Sequence, residues 1–333
     1  MSKLVIQKIM ENSKVFEHLI ETTENYIVSN GLDSMVLGIS GGIDSTVCAA
    51  ICHEVSLRSN RQIKFIGRSL PIKNQVMYSE EYDASKLVGN AFCDDFRVVN
   101  LSWIYENMLG EIVEHEEDKK VKGFSYKGIE DRSENQTPIA NGNIQARLRM
   151  TYLYNLAGIN KGLVIDTDNL TEHYLGFFTI HGDQGDFNPI GGLWKTEVYQ
   201  LAKHIAYEYK KKAENLIDDD ITLSHTYEKM YNALWASIRL TPTDGLGISN
   251  SDLEQIGADN YNQVDDILQT VVYFSDASSF TSCIKKLYEK YNKEMVDKVV
   301  SRYVKSNFKR KKMPIVIPTN FSILGTMEGS SMF

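Results

Sequence analysis

The 333-residue sequence is poor in the features that mark secreted, membrane-bound or nucleic-acid-binding chains. It holds four cysteines, Cys48, Cys52, Cys93 and Cys283, scattered and without a C-x-x-C pair, so neither a disulfide framework nor a paired-thiol motif is on offer. No early apolar run resembles a signal peptide, and none reaches the roughly 18 residues of a membrane span. Positive charge is in deficit: 36 Lys and Arg against 44 Asp and Glu leave a net charge of −8, which argues against a large nucleic-acid footprint. Prolines number only six. What remains, 42% hydrophobic and 24% charged residues, is ordinary for a soluble globular protein that buries a full core without cross-links. The expected setting is the cytoplasm. Cys48, Cys52 and His53 raise metal ligation, but cysteines four apart on a helix read more simply as small packed hydrophobes.

Hydrophobic spacing predicts a helix over Leu4–Val28, closed by Asn30-Gly31. Strands are expected at Met35–Ile39, Lys64–Leu70, Phe96–Leu101 and Gly162–Ile165, with helices at Ser45–Glu54, Ser79–Gly89 and Ile144–Ala157. Such alternation predicts an α/β fold, a doubly wound parallel sheet covered by helices on both faces. Glu111–Gln136 reads as a charged, exposed excursion, and Lys203–Asp220 as charge-rich and helical at its start. Ser249–Asn260, small and acidic, reads as a mobile loop, and helical spacing returns over Tyr261–Tyr303. One domain over residues 1–325 is expected, with Thr326–Phe333 as a frayed tail.

Chemistry first shows in VLGISGGIDSTVCAA, Val36 to Ala50, where a strand meets a helix. No Lys-Ser/Thr follows the glycines, so it is not a Walker A loop. Gly38, Gly41 and Gly42 are not spaced as a dinucleotide G-x-G-x-x-G either. Adjacent Gly41 and Gly42 let the backbone approach an anion at the helix start, and Ser40 and Ser45 add hydroxyls. Asp44 beside an anion makes sense if it holds a cation, so a Mg²⁺-bound polyphosphate is its natural partner. The bland alternative is a tight turn with a Ser/Asp cap. This S-G-G-x-D-S loop resembles that of the ATP pyrophosphatase superfamily, whose members cleave ATP between the α and β phosphates and adenylylate a substrate.

A second block, Asn141 to Pro189, narrows the substrate. Thr167, Asp168, Asn169 and Glu172 follow a strand's carboxyl end, where ligands bind in open α/β sheets, and Glu172 is placed to share Mg²⁺ with Asp44. Arg147 and Arg149, two apart on a helix, point in different directions, one suited to a ligand and the other to a structural carboxylate. The block resembles the ammonia-dependent NAD synthetase family, with its G-N-x-x-A-R-x-R-M, G-T-D/N-x-x-E and G-F-F-T-K-x-G-D runs. Asp186, Pro189 and Lys195 match its D-x-x-P and following lysine. Leu70-Pro71-Ile72-Lys73, Pro242-Thr243, Tyr261–Leu268 and Lys309-Arg310 with Pro314 match in order, so the likeness spans about Leu19 to Pro314. Departures are Asp166 for glycine, Ile180-His181 after G-F-F-T, a G-D loop one residue shorter, Phe308 before Lys309, and a long Lys203–Leu240 segment.

The resemblance implies a Rossmann-like adenine nucleotide α-hydrolase fold. Gly38, Ser40, Gly41, Gly42, Asp44 and Ser45 would cradle ATP phosphates, with Asp44 and Glu172 on Mg²⁺. Thr167, Lys195 and Thr243 would also meet ATP. Arg147, Asp186 and Lys309, with Phe308 beside it, would meet nicotinic acid adenine dinucleotide (deamido-NAD). The implied reaction forms an acyl-adenylate and pyrophosphate, then NAD⁺ and AMP after ammonia attacks. Asp186 is a candidate to deprotonate ammonium, and Thr243–Asn260 a candidate lid. Lys195 also suits its task on bare chemistry, as a flexible cation for charge developing on departing pyrophosphate. A glutamine-dependent form would need an added amidohydrolase domain, for which this chain has no room, so free ammonia, or ammonia delivered by a separate partner, is expected. A homodimer is implied too; nucleic acid and membrane partners are not expected. Two alternatives stay open: an adenylating enzyme with another acceptor, and a nucleotide-binding module without turnover. Thiolation is disfavoured by the unpaired cysteines.

Overall fold

The computed structural model describes residues 3–72, 79–117, 136–242, 251–273 and 277–311. Four parallel strands, β1 (Ser34–Gly38), β2 (Lys64–Ser69), β3 (Asp95–Val98) and β4 (Gly162–Val164), form one sheet in the order β3-β2-β1-β4. Val36 pairs with Ile66 on one side and Val164 on the other, and Ile66 pairs with Asp95. β1 carries an unbroken apolar run, Met35–Leu37, as a central parallel strand buried on both faces should, whereas β2 buries Phe65 and Ile66 and also Arg68, whose charge is paired with Asp95 at 2.8 Å. The chain steps outward from β1 to β3, then returns to β4 on the opposite side of β1. That reversal opens a crevice beyond the carboxyl ends of β1 and β4, the place where open α/β sheets bind ligands. Both informative motifs emerge there.

On one face, Met35, Leu37, Phe65 and Leu163 pack in a core with α1 (Lys3–Ser29), α2 (Ile43–Arg58), α3 (Glu80–Phe92), α7 (Lys195–Leu216) and α8 (Ile221–Arg239). α2 is buried nearly all round, which its run of Ser45, Thr46, Cys48, Ala49, Ala50 and Cys52 permits by keeping side chains small. Cys48 and Cys52 are packed there, and His53 turns its Nδ1 to the Phe92 carbonyl at 2.7 Å. On the other face, Val36, Ile66 and Val164 meet Tyr105 of α4 (Ser102–Glu117) and Met150 and Leu153 of α5 (Gln136–Ile159). The doubly wound parallel sheet expected from the sequence is therefore present. A further cluster joins α6 (Leu170–Leu175), α9 (Asp252–Ile256), α10 (Tyr261–Val272), α11 (Ala277–Lys290) and α12 (Lys293–Lys305) around Trp194, Val264, Leu268 and Val296. A 3₁₀ turn, Asn307–Arg310, follows.

Several boundaries differ from expectation. α5 covers Gln136–Ile159, longer at both ends than the expected Ile144–Ala157. α4 runs to Glu117, and residues 118–135 of the expected excursion lie outside the described residues. The charge-rich segment stays helical to Leu216, and α8 packs back against α7. Ser249–Asn260 is not a plain loop: over its described part Ser251 caps α9 by accepting from the Glu254 amide at 3.1 Å, and Gly257 closes it at φ +72°. The 326–333 tail lies outside the described residues. No helix among the described residues is long and apolar enough to cross a membrane.

Candidate active site

Gly41 sits at φ +90°, and a Cβ there would collide with the Glu81 carbonyl and come within 2.8 Å of the Ser85 amide of α3. Glycine alone fits this turn. Gly42 is the N-cap of α2 and no side chain caps the helix, so its first-turn amides and dipole present a ready anion site. Ser40 Oγ accepts from the Gly42 amide at 3.2 Å and lies 3.0 Å from Ser45 Oγ, which also bonds the Gly42 carbonyl. The two hydroxyls brace the loop against itself. A Cβ on Gly38 would press to 3.2 Å on Leu153, so glycine keeps α5 close to the sheet.

Across the crevice, Asn169 caps α6. Its Oδ1 accepts from the Glu172 amide at 3.0 Å, and Glu172 Oε2 accepts from the Asn169 amide at 3.2 Å, a reciprocal capping box. The same Asn169 donates from Nδ2 to Asp44 Oδ1 at 2.8 Å, fixing the two carboxylates to one another. Lys195, the first residue of α7 and only 2% exposed, lies between them: Nζ is 2.5 Å from Asp44 Oδ2 and 2.9 Å from Glu172 Oε1. Its amide donates to Thr171 Oγ1 at 2.9 Å, and Thr171 donates to Asp265 Oδ1 at 2.6 Å. Asp265 also takes the Thr196 amide at 2.9 Å, so one buried acid of α10 holds the start of α7 in place. The ring of Tyr261 stands 5.6 Å from Nζ. Burial works against the Lys195 ammonium, but Asp44 and Glu172 overcome it and hold its pKa well above the usual lysine value. Burial, then Asp44, pushes Glu172 up to about 7.

Thr167 lies half-buried between β4 and α6, flanked by acids. Asp166, the departure from glycine, accepts from the Asp168 amide at 2.8 Å and the Gly185 amide at 3.0 Å, so it ties the strand end to the following loop. Burial raises the pKa values of Asp166 and Asp168, and that of Asp183 to about 6.

The residues expected at the second substrate are differently engaged. Asp186 is exposed; its Oδ2 takes the Val164 amide at 2.9 Å beside the Ile165–Phe187 bridge that extends the sheet edge. Among the described residues, both arginines reach main-chain carbonyls: Arg147 that of Ile180 at 3.1 Å, and Arg149 that of Leu70 at 3.0 Å. Lys309 donates to the carbonyls of Gly176 and Phe178, at 2.8 and 2.5 Å, and lies 5.1 Å from the Phe178 ring. Phe308 is exposed on the wall of an open groove of about 950 Å³ beside α12. Lys73, Thr243 and Pro314 lie outside the described residues. Asn169, Thr171 and Asp265 carry positioning roles that the sequence reading did not give them. The N-x-x-E spacing of Asn169 and Glu172 was the available signal for the cap, while nothing local links Asp265 to Lys195.

The arrangement sets an amide-rich turn and two carboxylates bridged by an ammonium in one crevice, suited to a polyphosphate and a hard cation. A family model described as NAD synthase matches residues 15–314. The chain is 32% identical over 197 residues to the NH(3)-dependent NAD(+) synthetase of Alkaliphilus metalliredigens, covering 59% of this chain and 72% of that one. It is 26% identical over 307 residues to the NH(3)-dependent NAD(+) synthetase of Methanosarcina acetivorans, covering 92% and 98%. Among solved structures, the NMN synthetase from Francisella tularensis shares the fold at 20% identity with a TM-score of 0.62, covering 93% of this chain and 99% of that one. With its loop and its Asp44–Lys195–Glu172 bridge in the crevice of a doubly wound sheet, this chain belongs to the NAD synthase family.

Proposed function

We propose that the protein amidates deamido-NAD to NAD⁺ with ATP and ammonia. The observation that carries this is Lys195 held between Asp44 and Glu172 opposite the uncapped start of α2. A nicotinate carboxylate oxygen attacks the α-phosphorus of ATP, the bond to the bridging oxygen breaks, and pyrophosphate leaves. Ammonia then adds to the acyl carbon, AMP departs with the carboxylate oxygen, and the nitrogen gives up a proton. The amides of α2 and the Gly41 turn bind phosphate, Lys195 neutralises charge on the departing pyrophosphate, and the crevice limits hydrolysis by water. Asp44 and Glu172 offer the all-oxygen anionic donors that Mg²⁺ takes, and Asn169 holds both in orientation. When bound, Mg²⁺ would supply neutralisation of triphosphate charge.

The two ammonia-dependent relatives support ammonia as nitrogen donor. The position of Lys309 favours a second reading, a different acceptor carboxylate, because its Nζ already serves two carbonyls. A homodimer is proposed through the outer face of α4 and α5, where Trp103, Ile104, Met108, Ile112, Tyr154 and Ile159 stand exposed. The test is to incubate the purified protein with ATP, Mg²⁺ and ammonium or glutamine, with deamido-NAD or nicotinic acid mononucleotide as acceptor. NAD⁺, AMP and pyrophosphate are expected from ammonium and deamido-NAD. Turnover of the mononucleotide alone would establish the second reading, and ADP as product would overturn α–β cleavage.

A further inference from the structure

All four carboxylate oxygens of Asp44 and Glu172 already have partners. Asn169 Nδ2 and the Asn169 amide take one from each, and the Lys195 ammonium takes the other two. Lys195 is buried at the N-terminus of α7, where the helix dipole disfavours a cation, so its position is not explained by helix stability. It is explained by the two carboxylates, which would otherwise repel one another across the crevice. A divalent ion placed between the same carboxylates would meet the ammonium within a few ångströms, and that repulsion is strong where water is scarce. A triphosphate changes the balance, because its negative charge can draw the ammonium out on its flexible four-carbon stem.

We propose that in the free protein Lys195 itself fills the cation position between Asp44 and Glu172, so that this site takes a metal–nucleotide complex and rejects the free divalent ion. Lys195 thereby determines what the site accepts as well as neutralising phosphate. The inference rests on the assignment of Mg²⁺ to Asp44 and Glu172, and it separates from that assignment by experiment.

Mn²⁺ serves as the probe, with the free ion followed by electron paramagnetic resonance and no nucleotide present. Wild-type protein is expected to leave Mn²⁺ free, whereas Lys195→Gln gains a site at least about tenfold tighter. Asp44→Asn added to that variant removes it. A wild-type site that matches the variant's and is lost in Asp44→Asn overturns the exclusion while leaving the metal assignment intact. Binding gained in Lys195→Gln that survives Asp44→Asn overturns the assignment itself, and no gain in Lys195→Gln overturns the exclusion. Should that variant not fold, the wild-type thermal midpoint decides. Mg²⁺ alone is expected to leave it unchanged, and Mg²⁺ with a non-hydrolysable ATP analogue to raise it. A rise with Mg²⁺ alone that Asp44→Asn abolishes overturns the proposal.

Discussion

At Gly41 a single methyl group would strike the main chain of α3, and the backbone already lies where L-residues are strained. Gly41→Ala is therefore expected to cost about 1–3 kcal/mol from backbone strain alone, and to displace the amides proposed to bind phosphate. Thermal unfolding and adenylate formation measure the two effects, and wild-type values for both would show that the turn is dispensable. His53 poses a different question at the same scale. Burial holds its pKa below the usual 6.5, against a smaller opposing effect of the Phe92 carbonyl. The folded state thus favours the neutral ring, while the unfolded chain takes up a proton as pH falls through about 6.5. Stability present above that value is lost below it. The urea midpoint should fall between about pH 7.5 and 5.5, and by less in His53→Asn; equal slopes would remove His53 from the acid response.

Among the elements, α6 is too short to stand alone and is held from both ends. Its N-terminus has the Asn169–Glu172 box. At its C-terminus, Arg310 and Ser306 donate to the Tyr174 carbonyl, Arg302 to that of Leu175, and Lys309 to that of Gly176. These cations meet the negative end of the helix. Lys309→Met is expected to lower kcat, with the acceptor KM changing less than about threefold, because loosening α6 moves Glu172. A rise in KM with kcat unchanged would return Lys309 to direct substrate contact. The central strands were legible because a parallel sheet demands unbroken apolar runs, as in Met35–Leu37. α9 was not, since its five residues offer only one apolar pair, Leu253 and Ile256, too few to show a period, although Ser251, Glu254 and Gly257 spelled its caps. Asp44 and Glu172 were legible as a pair by their chemistry. The bond from Asn169 to Asp44, spanning 125 positions, depends on the folded strand order, which no local pattern encodes.

For the whole molecule, the exposed stripe on α4 is the feature most readily tested. Ile104, Met108 and Ile112 recur at four-residue steps, so they line one helix face while Tyr105 turns into the core. If the proposed dimer forms through this face, Met108→Glu is expected to leave a monomer in sedimentation without changing the circular dichroism. A dimer that persists would place the interface elsewhere. Another consequence concerns where the molecule is divided internally. Trp194 belongs to the helical cluster of α10 and α12, whereas Val198, one turn on, belongs to the core against the sheet. Lys195 lies at that seam. A slip of either body against the other is therefore registered as a broken charge contact before either core has melted, and the chemistry acts as a gauge of how well the two halves are seated.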